Sequence, residues 1–251
     1  MAESPGSVGE IRLLLEASGI EVPVANAVAY GVTAGGCSYY LGPYKLLGDL
    51  VETDTGAVAV SIAGGALRIS GNNEDGKGAA LATEVILSPV LNGPIVIEAR
   101  VQGQALTTRN WFIGICGVAA DDVAEPLTAT GTTLTLTAAN LAGFLLDSQL
   151  TAATEWHMPY NGGSATGPTG SNSVDSDVVA VAGEWDVLRL EVFPNGTVKW
   201  WINGVLKQEV ANAVSTTALQ AAVLGCWGTE ATAADIDVQY FLTDYNRDWT
   251  R

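Results

Sequence analysis

The segment 184–210, EWDVLRLEVFPNGTVKWWINGVLKQEV, restricts the fold more than any other feature, because apolar and polar residues alternate along it between two turn signals. Alternate residues of a strand point to opposite faces, so the pattern predicts half-buried β-strands. Pro194-Asn195-Gly196 is the first turn signal. Asn203-Gly204 is the second, because both residues tolerate the positive φ of a two-residue hairpin. We therefore predict three consecutive antiparallel strands. The residues expected to point inward are Leu188, Leu190, Val192, Val198, Trp200 and Ile202.

Shorter runs of the same kind fill the chain from Val51 onwards. They are rich in β-branched or aromatic residues and are separated by turn formers, such as GNNEDGKG at 71–78. No long amphipathic helix pattern lies between them, which argues against alternating strands and helices. The residues expected to be buried in the last run are Ile236, Val238, Tyr240 and Leu242. We predict an all-β fold, a two-sheet antiparallel jelly-roll sandwich over residues 51–251 with an N-terminal extension over residues 1–50.

Residues 1–50 differ in character from the rest of the chain. They include a predicted helix, Glu10–Ala17, followed by an uncharged segment rich in Gly and Tyr. Such a segment leaves apolar surface exposed unless it packs on its own domain or on a neighbouring subunit. Two alternatives stay open: an arm that docks on a neighbour, or a first strand and loops of the same sandwich. The side chains that would dock are Tyr30, Tyr39, Tyr40 and Tyr44.

The chain is strongly acidic, with a formal net charge of -16 from 27 acidic and 11 basic side chains. No cluster of Lys and Arg is long enough to follow a phosphate backbone, so we expect no nucleic-acid partner. Acidity on this scale favours solubility and would suit either a basic partner surface or a saline environment.

The cysteines and the N-terminal residues indicate the compartment in which the chain folds. The three cysteines fit neither a disulfide framework nor a zinc site, and we expect reduced thiols at Cys37, Cys116 and Cys226. The start, MAESPGSVGE, lacks the basic and then apolar run of an export signal, so we expect folding in a cytosol.

Two uncharged stretches, Val22–Tyr44 and Pro126–Leu146, approach the length of a membrane span. Glycines and prolines interrupt the first, and the second alternates as a strand does, so we expect no membrane partner.

A family resemblance begins at Glu184, where a strand, a turn, GTVKWWINGVL, a polar Ala-rich stretch and a closing strand DIDVQYF follow one another. This order resembles the last third of the concanavalin A-like lectin/glucanase superfamily, which includes laminin-G-like domains. The middle portion contains GGALRISGNNEDGKGAALATE, then the extended strand IVIEARV and the aromatic-led strand WFIGICG. With these segments, the pattern over about residues 51–248 most resembles jelly-roll structural proteins of tailed bacteriophages.

The resemblance implies a non-enzymatic virion component, such as a capsid decoration, cement or accessory head protein. Its partners would be the major capsid protein or other virion proteins, and its location the virion, after assembly in the host cytoplasm. Cement proteins often occupy the three-fold positions of a capsid lattice, so the resemblance also implies a homo-oligomer, with a trimer preferred. The alternative is a lectin-like module that binds glycans on a host surface. A glycoside hydrolase is a third hypothesis.

Catalytic signals are sparse. Glycosidases of this superfamily carry glutamates in an E-x-D-x-x-E arrangement that places two carboxyl groups on one face of a strand. Glu184-x-Asp186 and Asp235-x-Asp237 both lack the second glutamate, so we expect no catalytic residues and no enzymatic activity. The oxygen-rich turn at 71–78 could ligate a cation, but a simple hairpin turn is favoured. We expect no metal and no cofactor.

The segment TEWHMPYNGG contains the only histidine of the chain and precedes a Gly/Ser/Thr-rich stretch, so we predict an exposed loop there. Amphipathic aromatic side chains stack on sugar rings or anchor protein interfaces. The predicted partner or glycan contacts are therefore Trp156, His157 and Tyr160. The alternative is that these side chains only pack within the fold.

Overall fold

The computed structural model of the chain describes backbone and side chains for residues 66–71, 75–117, 125–229 and 234–246, and the backbone of six further strands between residues 11 and 62. The described strands are β1 (Ile11–Arg12), β2 (Leu14–Glu16), β3 (Val32–Ala34), β4 (Cys37–Tyr40), β5 (Lys45–Gly48), β6 (Val58–Ile62), β7 (Ala66–Ser70), β8 (Gly78–Ala82), β9 (Ile95–Gln102), β10 (Arg109–Cys116), β11 (Leu127–Thr130), β12 (Thr133–Leu136), β13 (Leu141–Asp147), β14 (Glu155–His157), β15 (Tyr160–Asn161), β16 (Asp175–Val179), β17 (Asp186–Val192), β18 (Val198–Ile202), β19 (Val205–Val210), β20 (Ala221–Gly228) and β21 (Asp235–Asp244). One helical turn, α1 (Pro89–Asn92), and one 3-10 turn, Ser171–Ser173, accompany them.

Most of these strands form two antiparallel sheets. Sheet I has the order β19-β18-β17-β9-β21-β7-β6, with β1 also paired with β21. Sheet II has the order β16-β14-β13-β10-β20-β8-β5, with β15 also paired with β13. The two sheets stack as a jelly-roll sandwich, which confirms the predicted fold class.

The main hydrophobic core lies between the two sheets. Sheet I contributes the inward residues of β17 and β18, among them Leu190 and Trp200, which are fully buried. Sheet II contributes Ile113 and Phe144 to the same cluster. The indole N–H of Trp200 donates to the carbonyl oxygen of Gly143 across the sandwich at 2.8 Å. Each such apolar side chain stabilises the fold by roughly 1.5–3 kcal/mol through burial.

The outer faces of the two sheets differ. Strands β9, β17 and β18 alternate between buried and half-buried residues, so the outer face of sheet I meets solvent. Strands β10, β13 and β20 are buried along their whole length. The hairpin β11–β12 covers the outer face of sheet II, where Leu127 and Leu134 pack with Phe112 and Leu145 in a second hydrophobic cluster.

The three strands predicted in segment 184–210 are present as β17, β18 and β19. Asn203 and Gly204 have φ values of 50° and 79°, as the predicted two-residue turn requires. The last strand differs from its prediction, because a bulge between Val238 and Tyr240 shifts the alternation. Phe241 is therefore buried, and Tyr240 lies half-buried on the outer face.

The predicted helix Glu10–Ala17 is wrong, because β1 and β2 occupy this segment and pair with β21 and β4. Strand pairing here outweighs the local helix propensity. Strand β5 pairs with β8, so residues 1–50 contribute a strand to sheet II. Of the predicted docking residues, Tyr39 and Tyr40 belong to β4, while Tyr30 and Tyr44 lie outside the described residues. Docking by these tyrosines stays a prediction.

Cys116 and Cys226 are buried and are not joined in a disulfide, and burial raises the pKa of Cys226 to about 12. The side chain of Cys37 lies outside the described residues. Within the described part of the chain, no helix is long and apolar enough to span a membrane.

Candidate functional site

The outer face of sheet I, which we call the open face, carries a group of polar and aromatic side chains. Strands β9, β17, β18 and β21 build it. Strand pairing sets Arg189 of β17 between Glu98 of β9 and Trp201 of β18. Two residues along, Glu191 is paired with Lys199 of β18. Residues two apart on a strand share a face, so these side chains form two adjacent rows.

Arg189 is the centre of the open face. Its guanidinium lies 3.2 Å from Glu98 Oε2 and 2.8 Å from Glu191 Oε1. Burial lowers the pKa of Arg189, but the hydrogen bonds to Glu191 and Glu98 and the charges of these two carboxylates together raise it overall. The network therefore holds one cation and two carboxylates in a fixed arrangement.

Tyr240 extends the network to β21. Its hydroxyl donates to Glu98 Oε1 at 2.8 Å. Burial, together with the hydrogen bond to Glu98, raises the pKa of Tyr240 to about 12, so the phenol stays protonated. Arg100 lies nearby on β9, with its guanidinium 4.9 Å from the ring centre of Trp185.

A cavity of about 190 Å³ opens beside Trp201. Its lining residues are Glu98, Val187, Arg189, Glu191, Trp201 and Gly204. The indole N–H of Trp201 is buried without a hydrogen-bond partner in the described part of the chain. The cavity thus joins one aromatic ring to carboxylate acceptors and a guanidinium donor, the groups that bind a ligand with an apolar face and hydroxyl edges.

A second cavity of about 360 Å³ lies further along β17 and β18, at the turn that joins these two strands. Its lining residues are Phe193, Pro194, Asn195, Thr197, Lys199 and Glu209. The Lys199 ammonium is 5.5 Å from the ring centre of Phe193 and 3.3 Å from Glu209 Oε2. The ammonium is therefore already held by an aromatic ring and a carboxylate.

Two acids lie on the covered side of sheet II. Asp147 is 1% exposed, and burial raises its pKa to about 6. Burial, with the charges of Asp147 and Asp75, raises the pKa of Glu125 to about 7. Asn110 is paired with Asp147 on the neighbouring strand, so both side chains point to the same face. Asp147 Oδ2 and Asn110 Oδ1 are buried acceptors with no hydrogen-bond partner among the described residues.

The residues predicted as partner or glycan contacts lie elsewhere. Trp156 and His157 are each 1% exposed, because their segment pairs as β14 within sheet II. The indole N–H of Trp156 donates to Asp186 Oδ2 at 2.9 Å, and burial lowers the pKa of His157. Tyr160 is half-buried with its ring centre 6.1 Å from that of Trp200. The prediction that Trp156 and His157 lie in an exposed loop is therefore wrong.

The open-face residues were not predicted as a site. Part of their signal is present in the polar positions of the alternating segment 184–210, which include Arg189, Glu191 and Lys199. For the oxygen-rich turn at 71–78, residues 72–74 lie outside the described residues. In the part of the chain that is described, no group of His, Cys, Asp and Glu is arranged to hold a metal ion.

Comparisons with known proteins identify the fold. No known protein family and no curated protein sequence matches the chain. Among solved structures, the potassium-bound carbohydrate recognition domain of Emp46p matches with a TM-score of 0.54 and 11% identity, over 82% of this chain and 89% of that domain. A Bacillus licheniformis β-glucanase matches with a TM-score of 0.52 and 10% identity, over 95% and 99%. A Shewanella oneidensis MR-1 protein of unknown function matches with a TM-score of 0.52 and 9% identity, over 97% and 89%.

At 9–11% identity these structures show a shared jelly-roll fold, which is the fold that the resemblance implied, and they bear on nothing specific to phages. The prediction of no enzymatic activity does not stand, because a β-glucanase has the same fold and the fold therefore does not exclude catalysis. The missing glutamate motif does not decide the question, since the fold brings Glu125 close enough to Asp147, from a different segment, for the charge of Asp147 to raise the pKa of Glu125.

Proposed function

We propose that this chain is a carbohydrate-binding protein and that the Trp201 cavity of the open face holds one sugar ring of its ligand. The observation that carries the proposal is the chemistry of that cavity, in which an aromatic ring stands beside a fixed network of Arg189, Glu98 and Glu191. The solved neighbours support the proposal, since one is a carbohydrate recognition domain and another a β-glucanase.

The side chains of the Trp201 cavity match the chemical groups of a sugar ring. A sugar ring has an apolar face of C–H groups, which packs on an aromatic ring, and an edge of hydroxyl groups, which donate and accept hydrogen bonds. Trp201 supplies the ring, the carboxylates of Glu98 and Glu191 accept, and Arg189 donates. The ion pairs hold the polar side chains in place before binding, which reduces the entropy lost on association.

Calorimetric titration with a panel of purified glycans tests the proposal. We expect at least one neutral glycan to bind, and Trp201→Ala to weaken it about tenfold or more. Leu219→Ala is the matched control, because Leu219 is an exposed apolar side chain, 52% accessible, outside the cavity. The proposal fails if no glycan binds or if Trp201→Ala leaves the affinity unchanged.

A second candidate is glycoside hydrolysis by Glu125 and Asp147. The observation in its favour is that burial raises the pKa of Glu125 to about 7 and that of Asp147 to about 6, and that the charge of Asp147 acts on Glu125; carboxyl groups with raised pKa values suit general-acid roles. Asp147 is covered, so the hairpin β11–β12 would have to open for a substrate to enter. Turnover of a polysaccharide that Asp147→Asn abolishes would support it, and no turnover across a broad panel would refute it.

The virion role, with capsid partners, a trimeric state and a location in the virion, stays a prediction. Co-sedimentation of the intact chain with phage capsids tests it. Capsid binding that survives Trp201→Ala would place a virion interface outside the proposed glycan site.

A further inference from the structure

We infer that the two cavities of the open face form one continuous site, and that its ligand is a neutral linear oligosaccharide of at least three sugar rings. This inference rests on the proposed function, because it extends the ligand of the Trp201 cavity along the same strands.

The two cavities adjoin at two residues that are partners in the pairing of β17 with β18. Glu191 lines the first cavity, Lys199 lines the second, and the two residues face each other across β17 and β18. Val187 and Phe193 mark the two ends, one in each cavity. The distance between them along the strand is about 20 Å at the rise of an extended chain. A single sugar ring is much shorter than this, whereas a short linear oligosaccharide spans it.

Each end of the site offers an aromatic ring. Trp201 lies in the first cavity and Phe193 in the second, where the Lys199 ammonium lies over the Phe193 ring, and both side chains are half-buried. Stacking surfaces at both ends and polar groups between them suit a repeating ligand, because each sugar presents the same apolar face and hydroxyl edges. A compact ligand of one ring would use one end only.

The charges of the lining residues favour a neutral ligand. Arg189 is paired with Glu98 and Glu191, and Lys199 is paired with Glu209. Both cations that line the cavities are therefore already neutralised by carboxylates, and three glutamates line the site against two cations. A glycan that carries carboxylate or sulfate groups would be repelled by these glutamates and by the net charge of -16.

Calorimetry on the intact chain tests the inference with neutral gluco- and manno-oligosaccharides of increasing length and with oligogalacturonates as anionic probes. We expect affinity to rise about tenfold or more between two and six rings. Phe193→Ala should reduce the affinity for six rings to that for two rings, without changing the latter. Trp201→Ala should weaken both, and Leu219→Ala neither. Oligogalacturonates should bind about tenfold more weakly than neutral chains of equal length.

The outcomes separate this inference from the proposed function. Equal affinity for short and long chains, with no effect of Phe193→Ala, overturns the continuous site but leaves the Trp201 cavity as a site. Tighter binding of oligogalacturonates overturns the neutral ligand. Absence of all glycan binding overturns the proposed function itself. If thermal unfolding shows that Phe193→Ala is not folded, Phe193→Leu takes its place, because leucine keeps an apolar side chain and removes the stacking ring.

Discussion

Replacing Asp147 by asparagine should stabilise the protein at neutral pH. The carboxyl group is 1% exposed, and its Oδ2 has no hydrogen-bond partner among the described residues. Burial raises its pKa from the ordinary 3.8 to about 6. The unfolded chain therefore releases this proton at lower pH than the folded chain does. Between these two values, rising pH favours the unfolded state, and the loss of stability is complete above the folded pKa.

The size of the effect follows from that shift, which corresponds to about 3 kcal/mol. Asparagine keeps the acceptor for the backbone N–H of Gln149, which Asp147 Oδ1 binds at 2.8 Å. Its amide also supplies a donor beside the unpaired Oδ1 of Asn110. Asp147→Asn should thus exceed the parent chain in unfolding free energy by up to about 3 kcal/mol at pH 8. At pH 4 the two should agree closely, because the carboxyl group is then protonated in the folded state.

Urea unfolding from pH 4 to pH 8 measures this difference. Asp244→Asn is the control, because Asp244 is exposed at the end of β21. Glu125→Gln should act in the same direction, with its gain appearing as pH rises towards about 7. The double variant should gain less unfolding free energy than the sum of the two single gains, because the charge of Asp147 contributes to the raised pKa of Glu125. An equal effect of Asp147→Asn at both pH values, or a loss of stability at pH 8, would refute the reasoning.

Three further substitutions test other parts of the structure by urea unfolding. Trp200→Ala should cost about 3–5 kcal/mol, since it removes a fully buried ring and its hydrogen bond to Gly143; a loss below about 1 kcal/mol would contradict its place in the core. Gly204→Ala should cost about 1 kcal/mol, because φ is 79° and space is available, so strain alone acts; an unchanged midpoint would argue against the turn. Tyr240→Phe should cost less than about 1.5 kcal/mol, since its hydroxyl bonds Glu98 on a half-exposed face; a larger loss would show that Tyr240 supports the core.

The segment 184–210 shows how much of the fold was predictable. Its alternation gave three strands and the correct inward residues, because local pattern and sheet position agree there. The prediction that Tyr240 of the last strand is buried was wrong, because a bulge depends on the pairing partner β9 and leaves no signal in the sequence pattern. The prediction of a helix over Glu10–Ala17 was wrong because long-range pairing with β21 and β4 decides the structure of this segment.

The candidate site was less predictable than the fold. Trp156 and His157 looked exposed because turn formers surround them, yet their strand lies in sheet II. The open-face site requires knowledge of the strand order, because Glu98 and Arg189 are 91 residues apart and meet only when β9 pairs with β17. The nearness of Glu125 and Asp147 likewise depends on how the covering segment packs on sheet II.

Nuclear magnetic resonance mapping of a glycan titration tests most directly the claim that the open face is the carbohydrate site. Addition of a neutral oligosaccharide should shift the indole N–H of Trp201 and the backbone amides of β17 and β18, and leave β13 and the hairpin β11–β12 unchanged. Shifts confined to β13 and this hairpin would place the ligand on the covered side of sheet II and contradict the account.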